Sequence, residues 1–172
     1  MSDIERLFTT YHAALVRYLT RRLGDRDWAE EIAQETFVRA LRQEQLVNER
    51  SWLFAVASNL VRDEARKDIR RRKHLALLAS EMQDAHVEGP DTAMERALDA
   101  GDARRALDAL AERDRQALLL REEGLDYPEI AEILGIAVGS VGTTLSRARR
   151  RLAEMYEAQV AQRAQRGHHA AS

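Results

Sequence analysis

The chain has 172 residues, of which 45% are hydrophobic, 33% charged and 5% aromatic, with 27 basic and 29 acidic side chains and no Cys. That length serves one domain or two small ones with a real core, and the missing Cys excludes disulfides, thiol catalysis and Cys-ligated zinc while fitting a reducing compartment. A net charge of −2 excludes a uniformly basic nucleic-acid binder, although it leaves room for local basic patches. In chain order, Ile4, Leu7, Phe8, Tyr11, Leu15, Tyr18 and Leu19 form the stripe of a first helix. Ala29, Ile32, Ala33, Thr36, Phe37, Ala40 and Leu41 form that of a second, over about residues 28–41. A third starts at Ser51, a candidate N-cap, and runs through Trp52, Leu53, Val56, Ala57 and Leu60 into a basic run. Further helical patterns cover about residues 92–110, 114–123, 128–134 and 139–159, and persistent strand alternation is missing. The polar end from Gln162 reads as frayed.

Charge divides the chain. Residues 1–75 carry 15 bases and 12 acids, residues 76–95 carry five acids and no base, and residues 96–172 carry 12 of each. The acidic stretch holds Gly89-Pro90, a turn signal. The expectation is an all-α chain of two small helical domains, residues 1–75 and 96–160, joined by a flexible acidic linker over 76–95. A polar tail covers 161–172. The linker, with charge −5, is expected to be repelled from DNA and to keep the two domains apart.

Residues 126–152 read as a helix-turn-helix. Pro128 suits the first turn of a short helix, and Gly135 suits the left-handed turn that ends it. Ile136 plugs the corner before a second helix near Gly139, in which Val141, Leu145, Ala148, Leu152 and Met155 form the apolar stripe. Its other faces offer Ser140, Thr143, Thr144, Ser146, Arg147, Arg149, Arg150 and Arg151. Small and hydroxyl residues at the start let such a helix approach a major groove, and the arginines neutralise phosphates or read guanine. A helical hairpin with a solvated basic face has the same pattern. Residues 61–73 form a second basic run, with seven basic positions; Arg62, Arg66, Arg70 and Lys73 share one helix face. Such runs are more often solvated than functional.

Taken together, residues 27–41, 52–73 and 109–152, in that order around an acidic linker, resemble the extracytoplasmic-function group of sigma-70 family sigma factors. The carrying segments are Ala29-Glu-Glu-Ile-Ala-Gln-Glu-Thr-Phe-Val-Arg-Ala-Leu41, Trp52-Leu-Phe-Ala-Val-Ala-Ser-Asn-Leu60 with its basic run, and the helix-turn-helix with Val141-Gly-Thr and Ser146-Arg147. The resemblance spans about residues 3–155 and implies a subunit that binds core RNA polymerase and directs initiation at promoters. It would do so by recognising the minus-35 and minus-10 elements.

The resemblance implies that Glu30, Glu31, Gln34, Glu35 and Arg39 dock on the clamp of the largest polymerase subunit, with a flap contact elsewhere. Asn59, Arg62, Arg66, Lys67 and Arg70 would hold the melted minus-10 element. Gln43, Gln45 and Asn48, in a loop over residues 43–50, would read an unstacked base there. Ser140, Thr143, Thr144, Ser146, Arg147, Arg149 and Arg150 would meet the minus-35 element. The family usually has an apolar residue at 144 and a basic one at 145; here Thr144 precedes Leu145. Either Leu145 touches a thymine methyl or the helix is slightly rotated. An anti-sigma partner and a cytoplasmic, nucleoid-associated location are implied as well.

No enzyme site is expected: the sequence has no Gly-rich phosphate loop and no Walker-type lysine. His168-His169 lacks the supporting shell of a metal site, so no cofactor or metal is expected. No apolar run approaches the ~18 to 20 residues of a membrane span, and residues 1–8 lack a signal-peptide layout. The rival readings are a stand-alone helix-turn-helix regulator and an all-helical interaction protein that never meets DNA.

Overall fold

The computed structural model describes residues 2–67 and 91–170. Among the described residues every regular element is a helix: α1 (Asp3–Leu23), α2 (Arg26–Ala40), α3 (Glu49–Lys67), α4 (Asp91–Ala109), α5 (Glu112–Glu122), α6 (Tyr127–Leu134) and α7 (Val138–Ala170). Residues 76–90 of the acidic connector lie outside them, and α4 already begins at Asp91, inside the stretch that charge alone assigned to the linker.

In α1 a reciprocal cap sets the start. Ser2 Oγ accepts from the Glu5 amide, and the Ser2 amide donates to the Glu5 carboxylate at 2.8 Å. That second bond favours the ionised acid and lowers the Glu5 pKa. Gly24, at φ +76°, ends the helix in the left-handed region. Leu7, Leu15, Val16, Tyr18 and Leu19 are buried against Ile32, Ala33 and Phe37 of α2 and Leu53, Phe54 and Ala57 of α3. Phe8, read as part of this stripe, stands instead at its edge, 44% exposed and stacked on His12 at 4.2 Å.

Helix α3 starts two residues before the candidate cap Ser51. The Trp52 amide already donates to the Asn48 carbonyl at 2.8 Å, and Ser51 is buried in the first turn. Arg6 of α1 grips Glu49 through both carboxylate oxygens, and this ion pair holds Glu49 below the usual carboxyl range.

The second helical set is built on α7. Val141, Leu145 and Ala148 are fully buried, packed with Ala117 and Leu120 of α5 and Ile130 of α6. Thirty-three residues make α7 about 50 Å long. Its far half does not fray at Gln162; the helix continues to Ala170 against α4. Leu152, Tyr156, Val160 and Arg163 are half-buried there at helical spacing. Arg163 Nη1 lies 3.1 Å from Asp102 Oδ2, and Asp102 is buried. A buried carboxylate thus meets Arg163, the one half-buried residue of the described polar end.

The two sets touch, contrary to the expectation that the connector keeps them apart. α1 packs on α5 and α3 packs on α6. Arg17 donates to Glu123, Arg22 to Glu112 at 3.0 Å, and Arg50 to Glu129 at 3.3 Å. Every base of these pairs belongs to the first set and every acid to the second. Arg22 is a charged residue with only 2% of its side chain exposed; its Nη1 also lies 3.4 Å from the Tyr18 hydroxyl. Complementary charge lines the two facing surfaces.

Candidate nucleic-acid interface

Helices α6 and α7 cross at 88°, close to the range of a helix-turn-helix. Local sequence explains the corner. Asp126 Oδ1 accepts from the Glu129 amide at 2.9 Å and Pro128 sits in the first turn, so α6 begins there. Gly135 takes φ +67°, its amide bonds the Glu132 carbonyl at 3.3 Å, and the Ile136 amide reaches back to the Ala131 carbonyl at 3.0 Å. These two bonds close the helix end and turn the chain into α7, which begins at Val138.

Around α7 the residues separate cleanly. Ser140, Thr143, Ser146, Arg149 and Arg150 are exposed; by helix periodicity Thr143, Ser146 and Arg150 lie opposite buried Val141, Leu145 and Ala148, with Ser140 and Arg149 on the two flanks. Thr144 must be corrected: it is 6% exposed, and its hydroxyl donates to the Ser140 carbonyl at 2.8 Å. It offers a groove neither surface nor donor. Leu145 is fully buried, so it touches no thymine methyl. Arg147 is half-exposed on the flank of that exposed face, and its Nη2 donates to buried Asp114 at 2.9 Å. That carboxylate raises the Arg147 pKa.

On α3, Asn59 and Arg62 are both exposed and one turn apart. The charge of Arg62 also helps lower the Glu112 pKa, after Arg22 and Arg115. Arg66 and Lys67 close the described part of α3, and Arg70 lies outside the described residues. In the loop before α3, Gln43 and Gln45 are exposed and line a shallow groove with Leu41 and Leu46. Asn48 lines a separate depression beside Tyr11 and Arg50.

The outer face of α2 brings the remaining candidates together. Glu31, Gln34 and Arg39 are exposed, while Glu30 and Glu35 are half-exposed and paired along the helix with Arg26 and Arg39 at 3.2 and 3.1 Å. Exposed pairs of this kind add little to stability. Val38, 41% exposed, sits in line with Glu31 and Gln34. Sequence pattern passed over it because one apolar residue on a charged face carries no periodic signal; the same holds for Asp114, a lone acid among many.

Comparison with known proteins agrees with this geometry. Residues 7–72 match the family model for sigma-70 region 2, and residues 100–152 match that for sigma-70, region 4. The chain is 31% identical over 154 residues to the RNA polymerase sigma factor YlaC of Bacillus subtilis, covering 86% of this chain and 88% of the relative. It is 32% identical over 148 residues to the ferric citrate uptake sigma factor FecI of Escherichia coli, covering 84% and 85%. Its fold resembles the sigma factor RpoE of Bartonella quintana, solved with the anti-sigma factor NepR, at a TM-score of 0.67 and 24% identity over 91% of this chain and 98% of that one. CnrH, solved with the cytosolic domain of CnrY, gives 0.60 and 24% over 90% and 88%. A stand-alone regulator has no use for a region 2 domain, so that reading falls away. The chain belongs to the sigma-70 family, in its extracytoplasmic-function group, whose members direct RNA polymerase to promoters.

Proposed function

We propose that the exposed stripe of α7, Thr143, Ser146, Arg149 and Arg150 with Ser140 at its start, reads the minus-35 element. Small side chains at its beginning permit close approach, and the arginines supply phosphate or guanine contacts. The observation that carries the reading is that Thr143, Ser146 and Arg150 stand on one face, flanked by Ser140 and Arg149, opposite a fully buried stripe and next to a right-angled turn. Asn59, Arg62 and the basic continuation through Arg66, Lys67 and Arg70 hold the minus-10 element once it is melted, with Gln43 and Gln45 beside the groove for an unstacked base. The outer face of α2, with Glu30, Glu31, Gln34, Glu35 and Arg39 extended by Val38, docks on the polymerase clamp.

In this reading the chain has no chemistry of its own and no cofactor; polymerase supplies the catalysis. It works in the cytoplasm, and an anti-sigma factor covers the same faces when the chain is idle. No single helix among the described residues is long and apolar enough to cross a membrane.

The two DNA assignments are separable. Holoenzyme reconstituted with Arg150→Ala should lose its preference for an intact over a scrambled upstream element and keep its preference for the downstream one. Asn59→Ala with Arg62→Ala should do the reverse. Variants that lose both preferences, or neither, contradict the assignment.

A further inference from the structure

Two carboxylates are buried among the described residues, and they do different things. Asp102 ties α4 to the far half of α7. Asp114, 1% exposed in the first turn of α5, faces the reading half of the same helix. Each of its oxygens takes a different arginine: Oδ1 accepts from Arg147 Nη2 at 2.9 Å and Oδ2 from Arg151 Nη1 at 3.0 Å. The two arginines are four residues apart and therefore neighbours on one side of α7. One carboxylate spans a full turn of the recognition helix.

The consequence for DNA lies in the geometry of α7. At 100° per residue, Arg147 lies only ~40° around the helix from Thr143 and ~20° from Ser140, on the flank toward α5. Four arginines stand between residues 147 and 151. Arg147 and Arg151 are bound to a buried anion, while Arg149 and Arg150 are exposed and form no ion pair with any described residue. Charge-assisted bonds to a buried carboxylate are among the strongest a guanidinium makes, and breaking them leaves a buried negative charge exposed to no partner. Arg147 and Arg151 are therefore held where they are when DNA arrives.

We propose that Asp114 is a positioning residue for promoter reading. By gripping Arg147 and Arg151 it fixes the rotation of α7 about its axis, and it keeps two of four clustered arginines out of the sequence-blind attraction to phosphate. The proposal rests on α7 being the minus-35 reader. Phosphate contacts add affinity for any DNA, whereas base contacts depend on the angle at which Thr143, Ser146 and Arg150 enter the groove. An anchor that restrains the first and aligns the second raises the contrast between promoter and other sequence.

The test uses the full chain assembled with core polymerase. Binding is measured across a salt series on a promoter fragment and on one whose upstream element is scrambled. Asp114→Asn should steepen the salt dependence on both fragments, by about 0.9 in log–log slope for each arginine that reaches a phosphate. It should also reduce the preference for the intact element by tenfold or more. Removing both arginines from that variant (Arg147→Gln with Arg151→Gln) should return the slope to the native value or below. Arg151→Gln alone, in an otherwise native chain, should leave the slope unchanged, because that arginine is already occupied. This second variant decides the matter if Asp114→Asn does not fold. A slope lowered by about 0.9 in Arg151→Gln places the arginine on phosphate and overturns the proposal. So does a folded Asp114→Asn with native slope and native preference. If the native holoenzyme shows no preference between the fragments, the reading of α7 itself is overturned instead.

Discussion

Arg17 on α1 and Glu123 at the end of α5 form a two-bonded pair, Nε to Oε1 at 2.7 Å and Nη2 to Oε2 at 2.6 Å, across 106 residues of sequence. The Glu123 side chain is nearly buried, so the bond is shielded on one side, and Glu123 raises the Arg17 pKa. With Arg22–Glu112 and Arg50–Glu129 it makes a seam whose bases lie on the region 2 side and whose acids lie on the region 4 side. Replacing Glu112, Glu123 and Glu129 together by Gln should loosen the seam while leaving each domain's core intact. Small-angle scattering should then show a radius of gyration larger by roughly a tenth or more, with unchanged helix content. An unchanged radius would assign the closed arrangement to the apolar contacts alone.

Acid should weaken the chain at two named places. Arg6 holds the Glu49 carboxyl below its ordinary range, and Arg22 does the same for Glu112, each through a side-chain hydrogen bond. A carboxyl lowered on folding stabilises fully above its unfolded pKa of about 4.3, and that stabilisation is lost as pH falls through the lower folded value. Native stability, measured by urea unfolding, should therefore fall below about pH 4.5. The Glu49→Gln variant with Glu112→Gln should start lower at neutral pH and fall less steeply. Parallel curves would show that these pairs carry none of the pH dependence.

The corner of the helix-turn-helix gives a backbone test. A Cβ on Gly135 would meet no atom within 4 Å, so Gly135→Ala introduces no clash; the cost is that of placing an L-residue at φ +67°. It should destabilise by about 1–2 kcal/mol in urea unfolding, and Gly135→Asn by less. Equal stability of Ala and Gly would contradict the left-handed turn.

The proposed polymerase dock on α2 includes one exposed apolar residue, Val38. The Val38→Asp variant leaves the buried stripe of α2 untouched and should fold as the native chain does. Its affinity for core polymerase, read by fluorescence titration, should drop tenfold or more, about 1.4 kcal/mol. Native affinity would move the dock to another face.

Periodicity was a sufficient guide wherever one element packs one face inward. Pro128, Gly135 and the buried stripe of Val141, Leu145 and Ala148 are all visible in the chain. It failed where a contact is made at long range. Arg22 is swallowed because Glu112 and Tyr18 meet it there, and nothing in residues 18–26 signals that. Ser51 is not the cap because α3 already begins at Glu49, and Ser51 is buried in its first turn. In the far half of α7, Arg163 pairs with Asp102, which lies 61 residues upstream. Of the proposed site, the exposed face of α7 was legible except at Thr144, whose hydroxyl satisfies its own helix. The arginines looked equivalent, and only the position of Asp114 separates Arg147 and Arg151 from Arg149 and Arg150.

The most direct measurement is transcription with purified bacterial core polymerase, with and without the full chain, on a library of genomic fragments. The chain should co-purify with core and produce discrete start sites preceded by two shared sequence elements, and Arg150→Ala should abolish dependence on the upstream one. A chain that neither binds core nor directs initiation from any fragment would contradict the account.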